Sequence, residues 1–215
     1  MANLVKLGGL LALACLAASP GAAGAAPPAF SADVTITLSG EDAEQMKALA
    51  ASTGQPFEPR MKARLFVSGV KMRLEFLTGP QRGVMVSDGA TGKSWFIQPA
   101  EKTYLELQED EDAEGAELAR FLEHGGDVCR LSPDAISCKK TGRDKVGGRA
   151  CTLYEIVERG EEGKQVLCVD DALHFPIRMA DGSTNTELTK VVEGAQPASL
   201  FAPPAGYARK TPGQP

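Results

Sequence analysis

The 215-residue chain has two histidines, one tryptophan, three tyrosines and eight phenylalanines. Two imidazoles are too few for a histidine-rich metal site or a histidine relay. Basic residues are not in excess: 23 Lys and Arg stand against 28 Asp and Glu, a net charge of −5. This speaks against the positive surface that proteins use to hold nucleic acid. No run of 18 apolar residues occurs, so no transmembrane helix is expected in the mature chain. There is no G-x-S-x-G elbow, and no nucleophile–base pair can be assembled. The chain is therefore expected to be a non-enzyme, with no cofactor and no metal. What is present, 43% hydrophobic and 24% charged residues, suits one folded domain with its own core.

Residues 1–25 have the layout of an export signal. Lys6 is the only charge, an apolar run covers 7–18, Ser19-Pro20-Gly21 breaks it, and Ala23-Gly24-Ala25 offers a cleavage site. Without residues 1–25 the chain keeps 22 basic and 28 acidic residues, a net charge of −6. Leu11-Ala12-Leu13-Ala14-Cys15 also resembles a lipobox, with Ala12 where Leu is preferred. Ordinary cleavage before Ala26 and a periplasmic or secreted location are the preferred reading. A lipoprotein anchored at Cys15 is the alternative.

Four cysteines remain after the signal: Cys129, Cys138, Cys151 and Cys168. An even number in an exported chain points to disulfides, and four cysteines allow three pairings. Cys129 and Cys138 bracket the turn Ser132-Pro133-Asp134. Cys151 and Cys168 sit on two strand-like runs joined by a turn over 158–163. Folding this hairpin about 159 and 160 sets Cys151 opposite Cys168, Leu153 opposite Val166 and Glu155 against Lys164. The expected bridges are Cys129–Cys138 and Cys151–Cys168. The spacing lacks the CxxC pattern of a metal site.

The rest of the chain reads mostly as short strands. Residues 61–67 and 70–76 alternate apolar with Lys, Arg or Glu around Ser68-Gly69, the clearest hairpin in the sequence. Further strands are expected over 30–38, 83–86, 94–97, 103–107, near 144–157, and over 164–169, 174–180 and 184–193. A helix is expected over 41–51, ended by Gly54-Gln55-Pro56. A second is expected over 109–124, with Leu118, Phe121 and Leu122 on one stripe and Gly125-Gly126 as its cap. The fold class is mainly β (α+β): a curved antiparallel sheet or unclosed β-barrel covered by one or two helices. One domain is expected over 26–208, followed by a polar, disordered tail over 209–215.

Several charged or polar motifs have plain structural explanations. Residues 87–94 resemble the end of a phosphate-binding loop, but Ser87 replaces its first Gly and a strand-like run follows, so a turn is expected. Glu109-Asp110-Glu111-Asp112 suits a helix N-terminus and lacks calcium-loop spacing. His124 ends the second helix, and His174 precedes Phe175-Pro176. Arg60, Lys62, Arg64, Lys71 and Arg73 form the polar face of the hairpin. They suit a solvated strand face, with an anionic headgroup or acidic partner as the second reading.

An ordered set of segments carries a resemblance. It comprises Phe30-Ser31-Ala32-Asp33, Lys71-Met72-Arg73-Leu74-Glu75, Trp95-Phe96-Ile97-Gln98-Pro99 with Lys102-Thr103-Tyr104, and Gly148-Arg149-Ala150-Cys151. It continues with residues 170–178 (DDALHFPIR) and Ser199-Leu200-Phe201 with Pro204-Ala205-Gly206-Tyr207. In order and spacing it resembles the LolA-like periplasmic superfamily, which includes outer-membrane lipoprotein-sorting proteins. That resemblance implies an unclosed antiparallel barrel with helices plugging its apolar concave side, and no catalytic residues. The chain departs from the true carrier in its paired cysteines, its fewer helices and its insertion around 41–60.

Two functions follow as expectations. In the first, the protein binds an apolar ligand, a lipid or lipoprotein acyl chain, under the helix on the concave face. The ligand-binding residues would be Leu65, Val67, Met72, Leu74, Phe76, Met85, Trp95, Ile97, Leu118 and Phe121. In the second, the same side chains fill a solid core, and the protein is a structural or interaction protein of the cell envelope with a protein partner. A cavity of several hundred Å³ separates the two.

Overall fold

The computed structural model describes residues 28–79, 82–107, 121, 126–130, 136–158 and 163–211. Along the chain come β1 (Ala29–Leu38), α1 (Gly40–Thr53), β2 (Arg60–Ser68), β3 (Lys71–Phe76) and β4 (Gly83–Asp88). They are followed by β5 (Lys93–Gln98), β6 (Thr103–Leu107), β7 (Ile136–Val146), β8 (Arg149–Glu158) and β9 (Gln165–Asp170). The last strands are β10 (Pro176–Ala180), β11 (Thr184–Glu193) and β12 (Ala208–Lys210). All twelve join one sheet in the order β12-β6-β5-β4-β3-β2-β1-β11-β10-β9-β8-β7. Its two end strands do not pair with each other, so the sheet is unclosed. Neighbours run antiparallel except β12, which lies parallel to β6.

Alternation explains the central strands. In β2, Ala63, Leu65 and Val67 are buried while Arg60, Lys62 and Arg64 are exposed. β1 buries Phe30, Ala32 and Val34 by the same rule. The main core joins these residues to Tyr154, Ile156, Leu167, Ile177 and Leu188 from the other half of the sheet. A smaller cluster of Val84, Val86, Ile97 and Phe201 lies on the opposite face of β4 and β5.

Two strands go beyond the sequence expectation. The chain predicts one strand near 144–157, whereas a turn at Gly147-Gly148 divides β7 from β8. Both glycines have positive φ, +56° and +85°, which a two-residue hairpin turn of this kind requires. β7 escapes detection because Lys139, Lys140, Arg143 and Lys145 interrupt any apolar alternation. Such charges are expected on a strand at the edge of a sheet. The second addition, β12, extends pairing to Lys210, two residues past the expected end of the domain at 208.

Both expected bridges are present, Cys129–Cys138 and Cys151–Cys168, with Cα separations of 5.2 and 5.4 Å. The register around the second differs from expectation. Cys151 stands opposite Asp170, and Cys168 opposite Leu153, a slide of two residues. A slide of two leaves every side chain on its original face, so the cysteines still meet. Glu155 still reaches Lys164, at 2.9 Å.

α1 covers the helix expected over 41–51 and buries Ala50. Its first turn is docked by Asp42, which accepts hydrogen bonds from the hydroxyls of Ser183 at 2.6 Å and Thr184 at 2.7 Å. Of the helix expected over 109–124, only Phe121 is described; it is helical and buried in the main core. The N–H of Gly126 donates to the carbonyl of Phe121 at 3.1 Å, with Gly126 at φ +77°, a helix-closing arrangement. Leu118, Leu122, His124 and residues 109–112 lie outside the described residues.

Candidate apolar ligand site

The hairpin β2–β3 sets Leu65 opposite Leu74, and the next pairs place Met85 opposite Leu74 and Phe96 opposite Met85. These side chains share one face. They line a cavity of about 400 Å³ with Met72, Phe76, Val34 and Ile36. Phe175, Pro176, Met179, Thr186 and Leu188 line it from the far half of the sheet, and Val86 and Ser87 complete the described lining on β4. Phe96 and Met179 belong to strands six places apart in the sheet, roughly 29 Å if it were flat. They touch one cavity because the sheet curves, with this face concave.

Five of the sequence-expected residues meet at this cavity: Leu65, Met72, Leu74, Phe76 and Met85. Val67 is fully buried in the main core instead. Phe121 also packs in that core and is not among the described lining. Trp95 and Ile97 require a correction. Both belong to the cluster on the opposite face, with Phe66, Tyr104, Leu200, Phe201 and Tyr207. Strand β5 is apolar on both faces (Trp95-Phe96-Ile97), so its composition does not reveal which side looks inward. The turn does: Asp88 pairs with Lys93, which forces Phe96 rather than its neighbours against Met85.

Gly83 makes room for that ring. A Cβ at Gly83 would lie 2.5 Å from Cζ of Phe96. The missing side chain lets the ring lie against β4. Val34 and Ile36 are on a face the sequence shows as apolar, but Thr186 and Leu188 enter only through the pairing of β1 with β11, and Met179 through that of β10 with β11. Three methionines, Met72, Met85 and Met179, contribute flexible and polarizable surface. Met179 is 41% exposed and marks the mouth.

The loop before β10 holds one wall. Asp170 is buried, and its carboxylate accepts from Arg149 Nε at 2.5 Å and from the N–H groups of Ala172 at 2.9 Å and Leu173 at 2.8 Å. Burial pushes this carboxyl's pKa up, but Arg149 and the two backbone donors outweigh it and hold it below the ordinary value. Phe175, at the end of the loop, meets Phe30 edge-on at 5.1 Å between ring centres.

The basic hairpin face is partly used internally. Lys71 pairs with Asp88 at 2.8 Å. Arg73 pairs with Glu75 at 2.7 Å and donates from Nη1 to the carbonyl of Leu200 at 2.9 Å, pinning the C-terminal segment. Residues 89–92 form the expected turn between β4 and β5. Among the described residues no helix is long and apolar enough to cross a membrane.

No family model matches the chain, and no curated protein matches it. Solved structures of similar fold exist. One is an uncharacterized conserved protein from Thermus thermophilus, at TM-score 0.52 and 9% identity, covering 85% of this chain and 90% of that one. The chain is also similar to a LolA superfamily protein from Nitrosomonas europaea, at TM-score 0.37 and 11% identity, over 81% and 90% of the two chains. A third is the Pseudomonas aeruginosa MucA/MucB complex, at TM-score 0.48 and 16% identity. That match covers 81% of this chain and 55% of the other, so the chain spans about half of it. At such identities the likeness concerns the fold alone.

Proposed function

We propose that this protein is an exported, non-enzymatic binding module of the cell envelope. It takes an apolar ligand, a lipid or a lipoprotein acyl chain, against the concave face of its sheet. The cavity of about 400 Å³ carries this reading, because its described lining has only two polar side chains, Ser87 and Thr186. The volume falls in the range of small-molecule sites. An acyl chain needs little more than apolar area, worth about 0.8 kcal/mol per buried CH₂. The signal-like residues 1–25, the paired cysteines and the LolA-like motifs support an envelope location. A densely filled core, the mark of the interaction-protein alternative, fits this cavity poorly.

Mass spectrometry of lipids extracted from protein purified out of its native periplasm tests the ligand. An acyl species recovered near one per protein is expected. Its absence, together with no stabilisation by added acyl probes, overturns the reading. N-terminal sequencing should find a mature chain starting at Ala26. An acylated Cys15 would place the protein on a membrane instead.

A further inference from the structure

On β4 the cavity lining includes Ser87, and Ser94 on β5 stands directly opposite it, buried behind the lining. We propose that Ser87 and Ser94 make a hydrogen-bonding subsite for an uncharged oxygen, an alcohol or ester carbonyl. The cavity then prefers neutral single-chain lipids to their carboxylates. This inference rests on the apolar-ligand reading and adds the ligand's chemical class.

Ser87 lines the cavity and pairs directly with Ser94 across β4 and β5. Directly opposite side chains start about 5 Å apart, close enough for one ligand oxygen to meet both. Ser94 is two residues before Phe96, so it shares the face that the Phe96 ring presents to the cavity. Ser94 is 3% exposed, and its hydroxyl has no hydrogen-bond partner among the described residues. Buried hydroxyls are nearly always paired, and each can donate one bond and accept others. A ligand oxygen between the two serines satisfies this group, which no described residue pairs.

Charge decides the class of oxygen. No charged side chain is among the described cavity lining. The adjoining cleft at the mouth shares Met179 and Thr186 with the cavity and adds Asp181 and Gln165. The one charged side chain of its described lining is thus a carboxylate, the wrong sign for an anionic head. An ionised carboxylate moved into such a site stays uncompensated, whereas a neutral oxygen loses little beyond the water it replaces. The serines lie on β4 and β5, five and six strands from exposed Met179. The neutral head therefore leads inward, and the tail extends towards the mouth.

The test is displacement of N-phenyl-1-naphthylamine from the oxidised mature protein by decane, decanol and decanoate. Decanol and decane should both displace the probe, and decanoate should be weaker than decanol by more than about tenfold. Ser94→Ala should weaken decanol about five- to tenfold and leave decane unchanged. Ser87→Ala should act in the same direction, and it serves if Ser94→Ala fails to fold. Equal decanol affinity in wild type and both variants overturns the subsite, as does decanoate binding as tightly as decanol. In those cases decane binding leaves the apolar-cavity reading standing. If neither decane nor decanol displaces the probe, the cavity reading fails and the subsite with it.

Discussion

The backbone N–H of Asp170 donates to the carbonyl of Phe175 across 2.9 Å, closing the loop between β9 and β10. One end of that loop is a buried carboxylate held by Arg149, and the other end is a cavity wall. Arg149 also reaches Glu193 on β11 at 2.8 Å. The network thus ties the β8–β9 hairpin to the strand that lines the cavity through Leu188.

Asp170→Asn should therefore have two effects. Losing a charge-assisted bond to Arg149 should cost about 2 kcal/mol, read by urea unfolding. Apolar-probe affinity should also fall, because the loop that carries Phe175 loses the charged contact with Arg149 that holds it. A variant with wild-type stability would refute the role given to this carboxylate.

The same group predicts the acid response. Its folded pKa is depressed, so its stabilisation is present above the unfolded carboxylate value of about 3.9. That stabilisation is lost as pH falls through the lower folded value. Wild type should lose stability on acidification below about pH 4, and Asp170→Asn should lose less over the same range. Parallel acid curves for the two proteins would contradict this.

Phe96→Ala and Trp95→Ala should separate cleanly although the residues are adjacent. Phe96 lines the cavity, so its loss should change probe affinity. Trp95 packs near Leu200 and Tyr207 on the other face, so its loss should reduce stability and leave probe affinity unchanged. The reverse outcome would mean that β5 has the opposite face inward.

Phe121→Ala should cost about 3–5 kcal/mol, because Phe121 is 5% exposed in the main core. A cost below about 2 kcal/mol would indicate a liftable lid instead. Fatty acyl probes should still raise the melting temperature of the wild type with dose. A large cost combined with no such rise would remove the support for ligand binding.

Non-reducing peptide mapping should recover Cys129–Cys138 and Cys151–Cys168. Replacing Cys151 and Cys168 together by Ala should cost about 3 kcal/mol on the chain-entropy estimate, and less if the hairpin persists without the bridge. A peptide linking Cys129 to Cys151 would contradict the pairing.

Much of this was legible locally. In β2 and β3 one face is charged and the other apolar, so alternation alone identifies the inward residues Leu65, Met72, Leu74 and Phe76. The cysteine spacing identifies both bridges even though the hairpin register differs by two, because side chains repeat every second residue. Local pattern fails where it carries no contrast. β5 is apolar on both faces, and β7 is polar from Lys139 to Lys145. The loop over 89–92 held the signal that places Phe96 opposite Met85.

The sequence by itself determined the strand-rich class, the bridges and five residues of the cavity wall, because period-two alternation, turn residues and cysteine spacing act over a few positions. Only the tertiary structure decided that Val34 and Leu188 pair across more than a hundred residues of chain, that Phe175 and Met179 close the far wall, and that Ser94 is buried without a partner among the described residues. Those facts follow from the curvature of a twelve-strand sheet. Curvature is set by all the strand pairings together, and no single stretch of sequence contains them.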